Sequence, residues 1–540
     1  MSPELSFFEI AVAERTPTVN RLVGIIEQQA AQLAAQAELL QRAKEQIQAL
    51  SDEIAILKGL KPRPKIPKSK IEGKDAEPKN GQDAGKRAGS VKRSKTAELT
   101  IHETVTLNPD GLGESWVFKG YCDFVVQGLV IEPHNIKYRR GRWVSPEGET
   151  LIAPLPPAVS GHFSSTLVSY IQHQYFSCRV TQPLLLDQLR EMGIDISSGE
   201  INEILTENKT VFHLEKADVL EAGLKASDYL QADDTGARHE GKNGYCSCIG
   251  NDLFAYFSSS ESKSRINFLK LLRGGYADYV VNADAVAYMK QQDLRQGVIA
   301  RLAEAGTTFF SDERAWQAQL FVLGITSARH VQIATEAALL ASALTHGLSR
   351  DMVILSDDAG QFNILIHALC WVHAERNINK LLGFNDEQRA ALAGVRDQIW
   401  SLYKKLKAYR ASPSQSLRAE IEAEFDRIFT QKTCFITLNQ ALARIQQNKV
   451  ELLRVLDYPH VPLHNNGCET DIREAVTKRK VSGGTQSHLG RLARDTFLTL
   501  KRTCRKLGVS FWQLLNDRNA AVNNIPNLGQ LISEAAAVKI

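Results

Sequence analysis

Three acidic residues combine a residue type with a local context that could do metal-dependent chemistry. Asp233 and Asp357 each follow a short apolar run typical of a β-strand, and Glu469 opens a basic stretch of helical pattern. Strands disfavour aspartate and an unpaired buried carboxylate is costly, so both aspartates call for a compensating group. Mg²⁺ prefers oxygen ligands, and two such ions about 3.5–4 Å apart can stabilise the attacking and leaving oxygens of a phosphodiester displacement. The three carboxylates together therefore predict a two-metal centre.

Each acid taken alone has a structural explanation. The run Asp233-Asp234-Thr235-Gly236 is compatible with a simple turn, and Asp357 could cap a following helix. Glu469 has the position of an ordinary acid in the first turn of a helix. The order strand, strand, helix is what favours a shared site over three unrelated features.

Size and composition indicate a multidomain globular protein. The chain has 540 residues, 43% of them hydrophobic, which predicts two to four folding units. The eight cysteines are scattered without a Cys-x-x-Cys pair, so neither a disulfide framework nor a structural zinc site is expected, and a reducing cytoplasm is favoured. A signal peptide and a run of about 20 apolar residues are both absent from the sequence, so we expect a soluble cytoplasmic protein with no membrane partner.

The N-terminal 60 residues have an apolar repeat of 3.5 residues. Its first seam holds Val19, Ile26, Leu33, Leu40, Ile47 and Ile54, and the second holds Leu22, Gln29, Gln36, Ala43, Leu50 and Leu57. A repeat of this length predicts a coiled coil over 1–60 and hence a homodimer or higher oligomer. The alternative is an amphipathic helix that packs on its own domain.

Two segments separate this repeat from the helical half of the chain. Residues 61–98 carry twelve Lys or Arg against five Asp or Glu and lack periodicity, which predicts a disordered basic linker that could attract phosphates. Residues 99–157 are rich in aromatic and β-branched side chains, at Trp116–Val126, 129–131 and 136–138, and predict a small β-rich domain. This segment holds only Cys122, so we expect no zinc there.

The remainder is predicted to be a helical domain, a catalytic core and a tail. Residues 158–226 show a helix ending near Gly193 and a capping-box pattern from Ser197 to Glu200, a candidate helix-turn-helix for DNA binding. Residues 227–520 alternate strands and helices, with helical insertions at about 285–350 and 376–460. Residues 521–540 are left as a C-terminal tail.

The motifs around the acids resemble those of transposases of the insertion sequence family 66. The matching segments are Asp233-Asp234-Thr235-Gly236, Cys370-Trp371-Val372-His373-Ala374-Glu375-Arg376, Asn465-Asn466-Gly467-Cys468-Glu469, and then Arg473 and Arg479-Lys480. The family's usual Asp-Glu-Thr-Gly and Cys-Trp-Ala-His-x-Arg-Arg appear here with substitutions. Its cysteine-rich zinc segment before the core is missing from 99–157. The resemblance covers about 160–520, and the N-terminal coil with its basic linker also fits the family plan.

This resemblance implies the fold, the reaction and the cofactors. The fold is α/β, a ribonuclease H-like mixed five-stranded sheet with helices and helical insertions. The activity is that of a DDE transposase, in which Asp233, Asp357 and Glu469 bind two Mg²⁺ or Mn²⁺ ions for cleavage and strand transfer of insertion-sequence ends. The partners are the element's terminal inverted repeats, target DNA and any accessory proteins of the element, in a bacterial, nucleoid-associated setting.

The second acid has a rival. Family members often carry Asp-Gly-Tyr before the Cys-Trp motif, and Asp284, followed by Tyr288, resembles it loosely but lies far upstream. Asp357 follows the cleaner strand and lies 13 residues before Cys370, so we prefer it. If Asp357 is correct, the residues near 275–350 are an insertion before the fourth strand.

Basic residues near the acids are candidates for DNA contacts. Arg473, Lys478, Arg479 and Lys480 follow Glu469 within one to three helical turns, and His373 and Arg376 lie one turn apart on another predicted helix. A plain basic helix face, or a role in holding the core, is the alternative. Two other functions remain open: a different ribonuclease H-like nuclease such as a junction resolvase, and a decayed relative that only binds DNA.

Overall fold

The computed structural model of the protein describes residues 16–21, 24–26, 28–29, 31–33, 35–36, 99–110, 116–156, 159, 161–304 and 306–539. Two compact units divide the chain, Met1–Gln127 and Gly128–Ile540. In the first unit the described positions from 17 to 36 are helical, and the heptad residues Ile26 and Leu33 are 54% and 66% exposed. The rest of the predicted coil and the linker 61–98 lie outside the described residues, so dimerisation through the coil stays a prediction.

The predicted β-rich domain is not formed by the described residues of 99–157. Their strands are β1 (Arg142–Val144) and β2 (Thr150–Ile152), which pair antiparallel in a short hairpin. The strands expected at Trp116–Val126, 129–131 and 136–138 are irregular instead, which corrects that prediction. Their apolar side chains stay mostly exposed, and a strand gains its stability from burying one face against a neighbour.

A mixed five-stranded sheet forms the centre of the second unit. Its strands, with the separate hairpin β6–β7, are β3 (Tyr229–His239), β4 (Lys242–Gly250), β5 (Ala255–Ser260), β6 (Tyr279–Val281), β7 (Thr308–Phe310), β8 (Val353–Ser356) and β9 (Ile366–Leu369). The sheet order is β5-β4-β3-β8-β9: the first three strands are antiparallel, and β8 and β9 continue in parallel from β3. This arrangement is consistent with the predicted ribonuclease H-like core.

Helices surround the sheet and supply both insertions. The bounds are α1 (Ser165–Gln172), α2 (Gln182–Glu191), α3 (Ser198–Thr206), α4 (Thr210–Lys225), α5 (Arg265–Arg273), α6 (Ala283–Gln291), α7 (Gln296–Ala303), α8 (Glu313–Val322), α9 (Ala328–Thr345), α10 (Trp371–Asn379), α11 (Asp386–Ala411), α12 (Gln415–Thr430), α13 (Ile436–Gln447), α14 (Lys449–Leu452), α15 (Asn466–Ser482), α16 (His488–Leu507), α17 (Phe511–Asn519) and α18 (Leu528–Lys539). Among the residues that the structure describes, no helix is long and apolar enough to span a membrane.

The two insertions differ in how they are held. The first, between β5 and β8, contains the β6–β7 hairpin and α6 to α9 and shares one hydrophobic cluster with the sheet. The second, between β9 and α15, contains α11 to α14 and builds its own cluster around Phe425 and Leu402. Trp371, at the start of α10, belongs to that second cluster and donates its Nε1–H to the Leu452 carbonyl at 2.8 Å.

The packing describes two of the predicted segments further. Helices α1 to α4 bury Ile171, Leu185 and Ile201 in the same cluster as the sheet residue Leu230, so 158–226 is not a domain apart. The predicted capping box is present: Ser197 Oγ accepts from the Glu200 backbone N–H, and the Glu200 carboxylate accepts from the Ser197 N–H. Residues 521–540 are not a loose tail, because α18 packs on α4 and buries Leu528.

Candidate active site

The strand register places Asp233 and Asp357 at the same edge of the sheet. In the parallel pair β3–β8, Leu230 lies opposite Ile354 and Gln231 opposite Leu355. Asp233 and Asp357 are each two residues beyond that last pair, at equivalent heights on strands that run about 4.8 Å apart. Because side chains alternate between faces, Asp233 shares the face of Gln231.

Gln231 and Asn465 fasten the start of α15 to that face. The Cys468 backbone N–H donates to Gln231 Oε1 at 2.9 Å, and Gln231 Nε2 donates to the His464 carbonyl at 3.3 Å. Asn465 Nδ2 donates to the carbonyl of Ala232, the residue before Asp233, at 2.8 Å. Glu469, in the first turn of α15, is thereby held near Asp233, on which its charge acts.

The pKa of Asp233 reflects the nearby acids. Burial raises the pKa of Asp233 to about 7. A hydrogen bond from the Asp234 backbone N–H at 2.8 Å opposes the rise, and the carboxylates of Asp357, Asp234 and Glu469 add to it. Like charges near a half-buried carboxylate are costly when ionised, so the group favours a bound cation or a proton.

Asp234, the next residue, has a different environment. Its carboxylate forms an ion pair with Lys263 and accepts a hydrogen bond from Gln361 Nε2 at 2.7 Å. The Asp-Asp pair therefore contains one acid neutralised by the protein and one that is not.

The rival Asp284 lies in the first insertion, in the first turn of α6. Arg350 holds both of its oxygens, with Nε to Oδ1 at 3.0 Å and Nη2 to Oδ2 at 2.7 Å. A bidentate arginine pair already satisfies this carboxylate, so the geometry gives Asp284 a structural role.

Glu469 meets the Cys-Trp-x-His motif. Cys370 directly follows β9 and is the N-cap residue of α10, and its backbone N–H donates to the Ser356 carbonyl at 3.0 Å. His373 Nδ1 lies 3.6 Å from Glu469 Oε1, and Arg376 Nη2 lies 4.0 Å from Glu469 Oε2. Among the described residues, neither His373 Nδ1 nor Glu469 Oε1 has a hydrogen-bond partner, although both atoms are buried.

A pocket of about 680 Å³ opens beside these groups. Asp357, Cys370 and His373 lie on one side, and the second insertion supplies the other through residues such as Arg444 and Asn448. Asn448 Nδ2 also donates to Asp358 Oδ2 at 3.4 Å, which links this insertion to the end of β8. Of the three acids, Asp357 lines this cavity.

Comparison with known proteins identifies the family. Residues 309–492 match the model of the Transposase IS66 family. A protein of Sinorhizobium fredii (strain NBRC 101917 / NGR234) named uncharacterized protein y4jO is 43% identical over 302 residues, which is 56% of this chain and 94% of the relative. The chain belongs to the IS66 transposase family. This membership supports a transposase-type function, with DNA as substrate and dependence on divalent metal.

The IS66 match contains Asp357, Cys370 and Glu469, whereas Asp233 and Asp284 lie upstream of it. The grouping of Asp233 with Asp357 and Glu469 is therefore inferred from the register of β3 and β8, and from the hydrogen bonds by which Gln231 and Asn465 hold the start of α15.

The predicted DNA-binding residues of this IS66 chain divide into two groups. Arg473 and Lys480 are exposed, and Arg479 lies beside β3 with Nη1 3.5 Å from Thr235 Oγ1. Lys478 is buried, with Nζ 3.5 Å from the Tyr175 ring centroid and donating to the Tyr175 carbonyl at 3.1 Å. Burial, with nearby positive charges, lowers the pKa of Lys478 to about 8. Lys478 is therefore removed from the predicted DNA surface.

Sequence reasoning missed Gln231 and undervalued Cys370. Gln231 is a buried polar residue inside the apolar run before Asp233, two positions from it and so on the same face. That period-two relation was visible in the sequence. Cys370 was noted only as part of a motif, and the fold brings its sulfur within 4.8 Å of a carboxylate oxygen of Glu469, 99 positions later.

Proposed function

We propose that this chain cleaves the ends of its insertion sequence and joins them to target DNA, through metal ions held by Asp233, Asp357 and Glu469. The observation that carries the proposal is the convergence of these three acids at one sheet edge, where their charges act together on Asp233. Two strand-end aspartates and a helical glutamate supply the oxygen ligands that Mg²⁺ or Mn²⁺ needs.

The residues fit a pair of such ions. Glu469 Oε1 is buried without a hydrogen-bond partner among the described residues, and the neighbouring carboxylates raise the pKa of Asp233 in addition to the effect of burial. A cation would remove both costs. When bound, two divalent ions activate the attacking oxygen and stabilise the leaving oxygen of a phosphodiester.

The protein's own groups position this chemistry. Gln231 and Asn465 fix the height of α15 over β3, and Arg376 faces Glu469 Oε2. Arg473, Arg479 and Lys480 extend from α15 beyond Glu469, where positive side chains would contact DNA phosphates. We further propose that the N-terminal helix pairs two chains, so that both element ends are held together.

The test uses the full chain, labelled element-end DNA, a target plasmid and Mg²⁺. We expect cleaved ends and joined products from the native chain, neither with a chelator, and neither from Asp233→Ala. DNA binding and circular dichroism of the variant should match the native chain, which separates lost chemistry from lost folding. Equal joining by the native chain and Asp233→Ala would refute the metal site.

The same assay separates the two alternatives. A junction resolvase would cut four-way junctions without joining element ends. A decayed relative would bind the ends and leave them intact at every Mg²⁺ or Mn²⁺ concentration.

A further inference from the structure

Cys370, His373 and Glu469 form a cluster whose chemistry differs from that of the three acids. One ligand atom of each, a thiol sulfur, an imidazole nitrogen and a carboxylate oxygen, lies within 4.8 Å of the other two. Magnesium prefers oxygen, whereas thiolate and imidazole together favour zinc. The donor set therefore differs from what the proposed phosphodiester chemistry requires.

The distance between His373 and Glu469 fits two ligands of one cation better than a hydrogen bond between them. His373 Nδ1 and Glu469 Oε1 are 3.6 Å apart, too long for a good hydrogen bond. Zinc bonds of about 2.0–2.1 Å to nitrogen and oxygen at a tetrahedral angle put those ligand atoms about 3.3 Å apart. Both atoms are buried and lack a hydrogen-bond partner among the described residues, a cost that a shared cation would remove.

Burial raises the pKa of the Cys370 thiol, so a thiolate there needs a cation, while backbone N–H groups around the sulfur oppose that rise. The Cys370 side chain is 1% exposed, and the Asn465 backbone N–H donates to Sγ at 3.2 Å. Sγ also lies at the N-terminal end of α10, where the helix dipole stabilises negative charge. Cys370 and His373 are three residues apart across the first turn of that helix, so the helix presents both on one side.

We propose that Cys370, His373 and Glu469 bind one Zn²⁺ ion, with its fourth position open to the adjoining pocket. Three protein ligands and one open position are the pattern of reactive rather than purely structural zinc sites. Cys370 and His373 both line the pocket of about 680 Å³, so the ion has a path of entry and an exchangeable ligand. Glu469 belongs to both proposed sites, so its carboxylate would bridge the zinc ion at Oε1 and the neighbouring magnesium centre. The zinc test is still independent of transposition, because it is run on the chain without DNA.

Cobalt is the probe, because Co²⁺ bound to thiolate gives a near-ultraviolet charge-transfer band and tetrahedral Co²⁺ gives intense visible bands. The full chain is stripped of metal, titrated with Co²⁺ and then with Zn²⁺. We expect both bands to saturate at one Co²⁺ per chain, whatever further Co²⁺ the carboxylates bind, and to be lost on adding one equivalent of Zn²⁺. Cys370→Ser should lose the charge-transfer band, while Cys434→Ser, which changes an exposed cysteine outside the cluster, should keep it.

A second variant protects the test against misfolding. His373 is partly exposed, so His373→Gln should fold and keep the thiolate band. Its Co²⁺ affinity should fall by more than the about 10–100-fold that loss of an outer hydrogen-bond partner costs, because His373 is proposed as a direct ligand. Circular dichroism of the metal-free variants provides the folding check. Absence of the thiolate band in the native chain, its persistence in Cys370→Ser, or equal affinity of His373→Gln and the native chain would each overturn the site.

Discussion

Helix α15 carries two acidic surfaces with opposite surroundings. Glu469 lies near Asp233, and its nearest basic groups, His373 Nδ1 and Arg376 Nη2, lie 3.6 and 4.0 Å away. Asp471, only two residues later, is 1% exposed and is held by Arg502 Nε at 2.7 Å and Lys506 Nζ at 2.7 Å, both from α16. One surface is neutralised by the protein and the other is not.

This difference separates acids that the protein pairs from the acids that we propose as metal ligands. The same contrast divides Asp234, which pairs with Lys263, from Asp233, and Asp284, which pairs with Arg350, from Asp357. A carboxylate that already has its cation holds the fold together, whereas one that is crowded by other acids needs a cation from outside.

Removal of Asp471, the acid on α15 that the protein pairs with Arg502 and Lys506, should cost the most stability. Asp471→Ala leaves Arg502 and Lys506 half-paired beneath α15, and loss of one partner of a buried pair costs about 3–5 kcal/mol. Glu469→Ala, on the other surface, should change the free energy of unfolding by less than about 1 kcal/mol. Urea unfolding in the presence of a chelator measures both. A larger loss at Glu469 than at Asp471 would contradict the comparison.

The contribution of Asp233 to the free energy of unfolding should fall as the pH rises. The pKa of Asp233 is raised to about 7, so the folded state favours the neutral carboxyl, and that stabilisation is lost as pH rises from about 4 through about 7. Asp233→Asn should therefore be more stable than the native chain by about 1–3 kcal/mol at about pH 8 without metal.

That gap should narrow as the pH is lowered towards about 4, and Mg²⁺ should narrow it at about pH 8 by binding the native chain. Chemical unfolding over this pH range, with and without Mg²⁺, provides the measurement. A gap that widens at low pH would mean that Asp233 is stabilised as a carboxylate within the protein.

The hydrogen bonds of Gln231 that hold the start of α15 on β3 can be disturbed at Gly467. A Cβ there would meet Gln231 Oε1 at 2.3 Å, so Gly467→Ala must displace the amide that holds the start of α15. We expect a stability loss of about 1–2 kcal/mol and a larger fractional loss of DNA cleavage, because Glu469 shifts from Asp233. Gly394→Ala, in α11 with open space around it, is the matched control. It should leave cleavage unchanged and raise stability by up to about 1 kcal/mol, because alanine favours the helix. Unaltered cleavage by Gly467→Ala would show that these hydrogen bonds do not position Glu469.

The smallest effect is expected at the exposed pair. Arg350→Ala frees Asp284 at the surface, and exposed ion pairs contribute about 0–1 kcal/mol. Cleavage of element ends should remain within about twofold of the native rate, as measured by gel assay. A loss comparable to that of the acid variants would return Asp284 to the active site.

The sequence was sufficient for the local features of the core. The strand segments before Asp233 and Asp357 were predicted from their apolar runs, and the cap at Ser197 from its partner Glu200 three residues away. These signals are local, as period and capping depend on neighbours in the chain.

What could not be predicted depends on distant partners. Lys478 looked like a DNA contact until Tyr175, some 300 residues earlier, was found beneath it. The strands expected around Trp116 had the right composition, but strand pairing depends on a neighbouring face that the sequence does not specify. Asp471 and Glu469 look alike in sequence, and only the packing of α16 gives them different environments.

Cleavage of labelled element-end DNA by the matched variants Asp357→Asn and Asp284→Asn tests the central claim most directly. The account predicts that Asp357→Asn loses about 10³-fold or more of the Mg²⁺-dependent rate, about 4 kcal/mol of transition-state stabilisation, while Asp284→Asn keeps it. Retained cleavage in Asp357→Asn with loss in Asp284→Asn would contradict it.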